Sequence, residues 1–598
     1  MREYKLSFLI VTMILVQAFL ILVGRLWYLQ ILRGEEFEKF SLSNHIRITK
    51  IPAPRGRILD RRGREIVTNR PSFDVYVVPN DIRSLHFLTN TLSPILGMEA
   101  AEIKDKIKKA IQKDRFKPTL IAQDINRDQL AYIEARKSSL PSVVIEVNHT
   151  RKYPNERLGA AFLGYLGKAT EDELKSYPDI QGDDVIGKSG VERSWEIYLQ
   201  GKYGFKQKLT DALGREVKST LFENDLKNRD SLPGTDIFLS IDIDLQKAAE
   251  EALGERAGAV VVMNVRTGEL LALVSHPSFD PRDFIRGIDS KKWSELVQDD
   301  SFPLLNRATQ GLYAPGSVFK IVTAAAGLTE RVVDPNTVFY CPGSYRVGSK
   351  TFRCWKPRGH GSVNLQKAIV ESCDVYFYNV AQKLGIDRFA RYIKGFGFGV
   401  PTGIDIGEKT GISPSRDWKL KTFKQPWYDG ETTVVGIGQG YISVTPLQIA
   451  VMTSAAANGG KLLKPLIVRK VVSPEGKSLV EYGPQENGHL PSEKTTLDLI
   501  KRGLEGVVND PHGTGHAARL DEITVAGKTG TAQVIAMDKV AQQKHKDHAW
   551  FTSYAPAENP EVAITVLVEN GGKGGAVAAP VVRQILEVYL RLKEEGNV

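Results

Sequence analysis

Leu6 to Val23 is an eighteen-residue run without a charge, broken only by the polar residues Ser7, Thr12 and Gln17. At about 1.5 Å of rise per residue, a helix of this length just spans a hydrocarbon core of roughly 30 Å. A cleaved signal peptide is the alternative. Gly24-Arg25-Leu26-Trp27-Tyr28, however, sets bulky interfacial residues where a small-x-small cleavage site belongs, so the run reads as an uncleaved signal anchor. Arg2 and Lys5 ahead of it place the N-terminus in the cytoplasm. No second apolar span follows, so nearly everything after residue 35 is expected on the extracytoplasmic side.

The chain's 598 residues exceed one ordinary core and predict about two to four structural units. With 42% hydrophobic and 25% charged residues, disorder is confined to short segments. The formal charge of +10 favours anionic neighbours such as phospholipid or an acidic envelope polymer. Nucleic acid is a poor fit, because the charge is spread along the chain and no helix-turn-helix, zinc-knuckle or RNA-binding signature stands out.

Three segments follow: a cytoplasmic tip and anchor at 1–34, a non-catalytic stretch at 35–235, and a further domain at 236–598. Within the second, Arg55 to Gly63 reads as a turn-rich strand pair. Its five arginines up to residue 64 fit an ion-paired surface better than a lipid contact. Residues 100–140 have helical spacing. Gly187 to Glu192 opens an amphipathic segment but lacks the spacing of a phosphate loop. From Asp236 the pattern becomes a strand, then a helix from Leu245 to Leu253, then a hairpin of Gly258–Met263 and Leu270–Val274 about a turn at Arg266-Thr267-Gly268. With the strands near 550 and 565 and a terminal helix from Pro580, this is an α/β arrangement around an antiparallel sheet.

Chemistry concentrates in that last domain. Ser317-Val318-Phe319-Lys320 is the one S-x-x-K in the chain. Spacing by three puts a hydroxyl and an amine on one helix face, and Ala314-Pro315-Gly316 suits a helix start, where free N–H groups favour a developing oxyanion. To act as a base near neutrality, Lys320 must fall about 3 units below the ordinary lysine value, through burial and neighbouring cations. Ser372-Cys373-Asp374 offers a proton-relay hydroxyl or, alternatively, a helix N-cap. Lys528-Thr529-Gly530-Thr531 offers a fixed cation and two hydroxyls for a carboxylate, Gly530 letting an extended substrate lie against the strand edge. The Thr531 N–H is expected to complete an oxyanion hole with that of Ser317. Each motif alone is weak; their set and order describe serine acyl transfer.

All three cysteines fall between 341 and 373, with His360 among them: Cys341, Cys354, His360 and Cys373, spaced C-x12-C-x5-H-x12-C. Three thiolates and an imidazole match a closed tetrahedral zinc site. One disulfide plus a spare cysteine is the rival in an oxidising compartment. His512 and His516 flank an apparent flexible loop and are a weaker metal candidate.

These motifs resemble those of the class B penicillin-binding proteins, the monofunctional D,D-transpeptidases of bacterial cell-wall synthesis, and within them the elongation type. Arg55 to Arg61, Arg151-Lys152-Tyr153-Pro154, Gly187 to Glu192, Gly436-Ile437-Gly438-Gln439-Gly440, Val444 to Gln448 and His548-Ala549-Trp550-Phe551 extend the likeness over nearly the whole chain. The resemblance implies a single-pass inner-membrane anchor, a pedestal of the dimerisation type at 35–235, and a periplasmic serine β-lactamase/transpeptidase-like domain at 236–598. It implies Ser317 as the acylated nucleophile attacking the D-Ala-D-Ala end of a peptidoglycan stem peptide, with β-lactams as inhibitors. A SEDS-family glycosyltransferase of the RodA kind and other elongation-complex proteins are the implied partners. Asp374 stands where most of the family has Asn, as elongation-type members often do. The resemblance also favours zinc among the cysteines. A D,D-carboxypeptidase or β-lactamase using water as acceptor, and a non-catalytic β-lactam-binding regulator, are the competing functions.

Overall fold

The structure is a computed structural model describing residues 2–34, 46–176, 180, 184–209, 228–533 and 546–596. The apolar run lies in a helix, Arg2–Trp27, that continues as a π-helical turn, Tyr28–Leu32. Phe8–Leu32 is long and apolar enough to cross a membrane, the one such helix among the described residues. Its apolar side chains are exposed, as they are where lipid is the solvent. Arg25 lies over the Tyr28 ring at 5.2 Å, a pairing suited to the headgroup boundary.

Contacts divide the chain into two compact units: residues 1–54, 70–150 and 201–233 in one, and 55–69, 151–200 and 234–598 in the other. The first unit packs the helices Leu85–Leu96 and Ala100–Lys113 with Val75, Val77 and Ile121 of two paired strands. The lysine-rich helix faces the core with Ile103 and Ile107, one turn apart, while its lysines project outward, which is the amphipathic spacing at work.

The second unit is built on five antiparallel strands: β1 Gly258–Asn264, β2 Leu270–His276, β3 Ala526–Ala532, β4 His548–Ala555 and β5 Val562–Val568. Their order is β2-β1-β5-β4-β3, so β3, carrying Lys528 to Thr531, is an edge strand. The helices that matter here are α1 Ile243–Leu253, α2 Lys320–Thr329, α3 Asp374–Leu384, α4 Asp429–Val435, α5 Pro446–Ala457, α6 Lys494–Asn509 and α7 Gly574–Glu594. Alternation along the strands sends Val260, Val262, Ile564 and Val566 to the face covered by α1 and α7. Ala259, Val261, Met263 and Leu567 go to the face covered by α5. Both faces are dry, so the central strands are mostly apolar, and the buried Thr552 and Thr565 hydroxyls bond to each other at 2.7 Å. The terminal helix begins at Gly574, six residues before the predicted Pro580, which is accommodated inside it.

The arginine-rich stretch is ion-paired within this unit. Arg57 meets Asp236 at 2.7 Å, Arg61 meets Glu269 at 3.4 Å, Arg62 meets Asp244, and Arg64 meets Asp60 at 2.7 Å. Arg55 bridges Glu192 and Glu196 at 2.8 and 2.7 Å. Glu192 also takes the Arg151 guanidinium at 2.8 Å, both side chains being fully buried, and Arg151 donates further to the Gly56 carbonyl at 2.7 Å. Glu192 is therefore the one carboxylate on Arg151 among the described ion pairs. Glu192→Ala strands a buried guanidinium and is expected to destabilise by about 3–5 kcal/mol. Arg57→Ala, which breaks a half-exposed pair, is expected to cost under about 1 kcal/mol. Thermal melts of the two variants should separate clearly, and equal shifts would show that burial does not set the cost.

Candidate active site

Gly316–Phe319 forms a 3-10 turn leading into α2, with Gly316 in the left-handed region at φ 55°. Side chains at i and i+3 eclipse in a 3-10 turn, which stacks Ser317 over Lys320 more directly than the expected α-helical start. Ser317 stays partly exposed, whereas Lys320 is buried. The turn is pinned from three sides: Tyr313 N–H donates to the Val444 carbonyl at 3.0 Å, Gly316 N–H to the Gly438 carbonyl at 2.9 Å, and Trp550 Nε1 to the Ala314 carbonyl at 3.1 Å.

Lys320 Nζ donates to the Ser372 carbonyl at 2.8 Å, Ser372 Oγ at 3.1 Å and Asp374 Oδ1 at 2.6 Å, one acceptor for each ammonium proton. Ser372 adopts the left-handed conformation, φ 54°, which a serine adopts at a cost of about 1 kcal/mol and which turns its carbonyl and hydroxyl together onto Lys320. Asp374 does not cap α3: Cys373 occupies the cap position without a side-chain bond, and neither alternative cap forms. Its second oxygen instead accepts the Trp355 N–H at 2.8 Å. Burial pushes the Asp374 carboxyl above the usual aspartate range, with Lys320 pulling the other way. Trp355 also donates its indole N–H to the Ser372 carbonyl at 3.1 Å.

On β3, alternation sets Lys528 and Gly530 on one face and Thr529 and Thr531 on the other. Lys528 is fully buried. Burial, and after it the positive charge of Lys320, hold it well below the ordinary lysine range, with Asp374 pulling the other way. Gly530 makes a close approach to the nucleophile's turn. A Cβ there would lie 2.9 Å from Trp550 Cβ, 3.1 Å from Val318 and 3.2 Å from the Pro315 carbonyl, so the missing side chain admits the nucleophile's turn. Gln439 Nε2 donates to the Thr531 carbonyl at 3.2 Å from outside the sheet. A strand residue's C=O and N–H point the same way, so the Thr531 N–H also faces the open edge, away from β4. A Cβ on Gly316 would stand 2.7 Å from that same Thr531 carbonyl, and one on Gly438 2.2 Å from the Gly316 carbonyl. Gly438 and Gln439 thus lock the turn to the strand. Sequence motifs flagged this glycine-rich stretch only through family likeness; its contacts are too distant in sequence to leave a local signal. Trp355 had no signal at all.

Cys341, Cys354, His360 and Cys373 come together, all buried, with ligand atoms within 4.8 Å of one another, and the three thiols are free. Cys341 Sγ and Cys354 Sγ lie 3.6 and 3.5 Å from His360 Nδ1. Bond lengths of about 2.3 Å to sulfur and 2.05 Å to nitrogen at a tetrahedral angle predict about 3.6 Å for such an edge. The donor set therefore fits a metal, with Nδ1 as the ligating nitrogen. His360 Nε2 is buried without a hydrogen bond and faces Glu371 at 3.9 Å, the carboxylate position that orients a ligating histidine. The hydrogen bond between Cys354 and Cys373 pushes the first thiol down and the second up, as expected when one thiolate shares a neighbour's proton. Among the described residues, His512 and His516 join no metal-ligating cluster.

Residues 258–587 match the family model of the penicillin-binding protein transpeptidase domain, and residues 50–239 that of the penicillin-binding protein dimerisation domain. The peptidoglycan D,D-transpeptidase MrdA of Haemophilus influenzae is 37% identical over 590 residues, covering 95% of this chain and 89% of that protein. MrdA of Escherichia coli strain K12 is 34% identical over 585 residues, covering 95% and 91%. Among solved structures, penicillin-binding protein 2 of Helicobacter pylori in complex with MreC aligns with a TM-score of 0.80 at 31% identity, over 92% of this chain and 100% of that one. Penicillin-binding protein 2 of Pseudomonas aeruginosa in complex with WCK 5153 gives 0.68 at 35% identity, over 91% and 97%. With both domain models matched in order and relatives alike over nearly their whole length, the chain belongs to the class B penicillin-binding proteins, in the penicillin-binding protein 2 (MrdA) group of peptidoglycan D,D-transpeptidases.

Proposed function

We propose that the chain cross-links peptidoglycan stem peptides during cell elongation and rod-shape maintenance, through an acyl-enzyme on Ser317. The observation that carries this is the convergence of three motifs far apart in sequence: Lys320 on Ser372 and Asp374, and the Ser317 turn on Thr531. Lys320, as an ammonium, has all three protons engaged. Passing one to Asp374, whose carboxyl burial already raises, leaves a neutral amine that accepts the Ser317 proton. Ser317 Oγ then bonds to the carbonyl carbon of the penultimate D-alanine. The N–H groups of Ser317 and Thr531 stabilise the oxyanion. As the peptide C–N bond breaks, the Ser372 hydroxyl relays a proton to the departing D-alanine amine. An amine of a neighbouring stem repeats the sequence in reverse, releasing Ser317. Thr529 and Thr531 hydroxyls hold the terminal carboxylate, with Lys528 and Gly530 behind them.

β-Lactams present the same carbonyl and carboxylate, so they acylate Ser317. Wild-type protein is expected to take a fluorescent penicillin covalently and Ser317→Ala to take none, read by gel fluorescence and intact mass; equal labelling of the two would end the acyl-enzyme reading. Gly438→Ala, whose methyl would meet the Gly316 carbonyl, should leave the protein folded while slowing acylation by about a hundredfold, the scale on which misplacement of about 1 Å acts. Acylation near the wild-type rate would show that the Gly438 lock does not position Ser317.

The family matches at 50–239 and 258–587 support a division into a pedestal at 35–235 and a catalytic domain at 236–598. The N-terminal apolar helix supports single-pass anchoring in the inner membrane with the catalytic domain in the periplasm. The Helicobacter pylori complex with MreC, and a peptidoglycan synthase complex that aligns at a TM-score of 0.72, support an elongation-complex setting, with a RodA-type glycosyltransferase as polymerase partner.

Zinc is the metal that Cys341, Cys354, His360 and Cys373 would hold. Four protein ligands leave no open position, so the ion would be structural. Elemental analysis of chelator-free protein should find about one zinc per chain, and His360→Ala should lose it. A folded protein without zinc, or with a mapped disulfide among these cysteines, would refute the assignment.

A further inference from the structure

The loop Pro511 to His516 that the histidines drew attention to carries something other than a metal. Thr514 Oγ1 lies 2.7 Å from Thr529 Oγ1, the first hydroxyl of the edge-strand motif. Thr514 is held there from several sides. Gly513 N–H donates to the Asp510 carbonyl at 2.8 Å and Gly515 N–H to the Val507 carbonyl of α6 at 2.8 Å. A Cβ at Gly513 would stand 2.4 Å from the Val507 carbonyl, and one at Gly515 2.9 Å from the Phe551 ring, whose residue pairs with Thr529 across β3 and β4. The first turn of α7 closes the other side: a Cβ on Gly575 would lie 2.3 Å from the Thr514 carbonyl and 3.4 Å from Thr529 Cγ2. Two glycines and a helix end leave Thr514 one place to stand, against Thr529, which is itself buried.

A pair of hydroxyls at this distance shares one proton in either of two senses. A carboxylate only accepts hydrogen bonds. It selects the sense in which Thr514 donates to Thr529 Oγ1, so that the Thr529 proton points outward to the anion, and each bond in such a chain strengthens the next. In the other sense Thr529 turns a lone pair toward the anion. We infer that Thr514 is a positioning residue for recognition of the substrate's terminal carboxylate, setting the proton direction of Thr529 and so favouring acyl donors that end in a free carboxylate. This rests on the acyl-enzyme reading above, in which Thr529 meets that carboxylate.

Acylation kinetics of the full-length, detergent-solubilised protein with benzylpenicillin and with its neutral methyl ester test the inference. Thr514→Val keeps the shape and removes the donor. It should raise the half-saturating concentration for the acid about fivefold, the weight of one neutral hydrogen bond, with the limiting acylation rate unchanged. The ester should react as with wild type, and Thr514→Ser should restore the acid. Melting temperatures within about 2 °C of wild type establish that the variants fold. Equal losses for acid and ester, or no loss for either, overturn the inference while leaving Ser317 acylation standing. Labelling that persists in Ser317→Ala overturns the acyl-enzyme reading and this inference with it.

Discussion

Burying the ammonium of Lys320 governs the arrangement of the site. A lysine with 1% of its surface exposed costs several kcal/mol in desolvation unless every proton finds an acceptor. The acceptors come from one short segment, Ser372 to Asp374, and meeting that demand explains features that are otherwise costly. Ser372 takes up a left-handed backbone so that its carbonyl and hydroxyl both reach Nζ. Asp374 gives up the capping role its position at the head of α3 offers. The second Asp374 oxygen then needs a donor of its own, which the Trp355 backbone N–H supplies, while the Trp355 indole N–H adds a second bond to the Ser372 carbonyl. Trp355 follows Cys354, and Cys373 lies between Ser372 and Asp374. The cysteine and histidine cluster and the lysine's acceptors are therefore two faces of the same pair of loops.

The nucleophile's turn is fixed by steric exclusion more than by hydrogen bonds. Gly316, Gly438 and Gly530 each stand where a methyl group would collide with backbone or side chain of another element. Close approach of the turn, the segment after α4 and the edge strand follows from those three absences. Thr323, one turn along α2 from Lys320, donates to the Gly436 carbonyl at 2.7 Å and ties the same segment to the helix that carries the lysine. Packed this way, the turn cannot drift from the strand without moving α2, which preserves the sub-ångström geometry that acyl transfer needs.

Much of this was legible in the sequence, and the boundary of legibility is physical. The N-terminal apolar helix announces itself by its uncharged run, and the hairpin of β1 and β2, the lysine-rich helix and the antiparallel α/β core by periodicity, because their neighbours impose a repeating environment. Ser317 with Lys320, and Cys341 with Cys354, His360 and Cys373, were found by spacing and composition. Contacts that depend on a single partner far along the chain left no such trace. Neither Trp355 nor Thr514 differs locally from a loop residue. Gly530 was singled out for an incoming chain, and the structure adds a constraint that the sequence left silent, the close approach of the Ser317 turn. Pro580 misled the reading of the last helix, because a proline read as a start was one the helix absorbs in its interior.

The charges of the site form an unbalanced set, and the imbalance fits the anion it is proposed to bind. Two lysines, Lys320 and Lys528, and one carboxylate, Asp374, are buried within range of each other's fields. Lys320 holds Asp374 directly, which leaves Lys528 as the surplus positive charge, disfavoured by burial and by Lys320 alike. Burial and then Lys320 therefore push Lys528 toward its neutral form, with Asp374 pulling the other way. A carboxylate held by the Thr529 and Thr531 hydroxyls opposes that shift, since a nearby negative charge favours the charged lysine. By linkage, the same interaction that favours the charged lysine favours the bound anion. Recognition at the edge strand then combines the oriented Thr529 hydroxyl with a buried lysine whose charged form a bound anion favours.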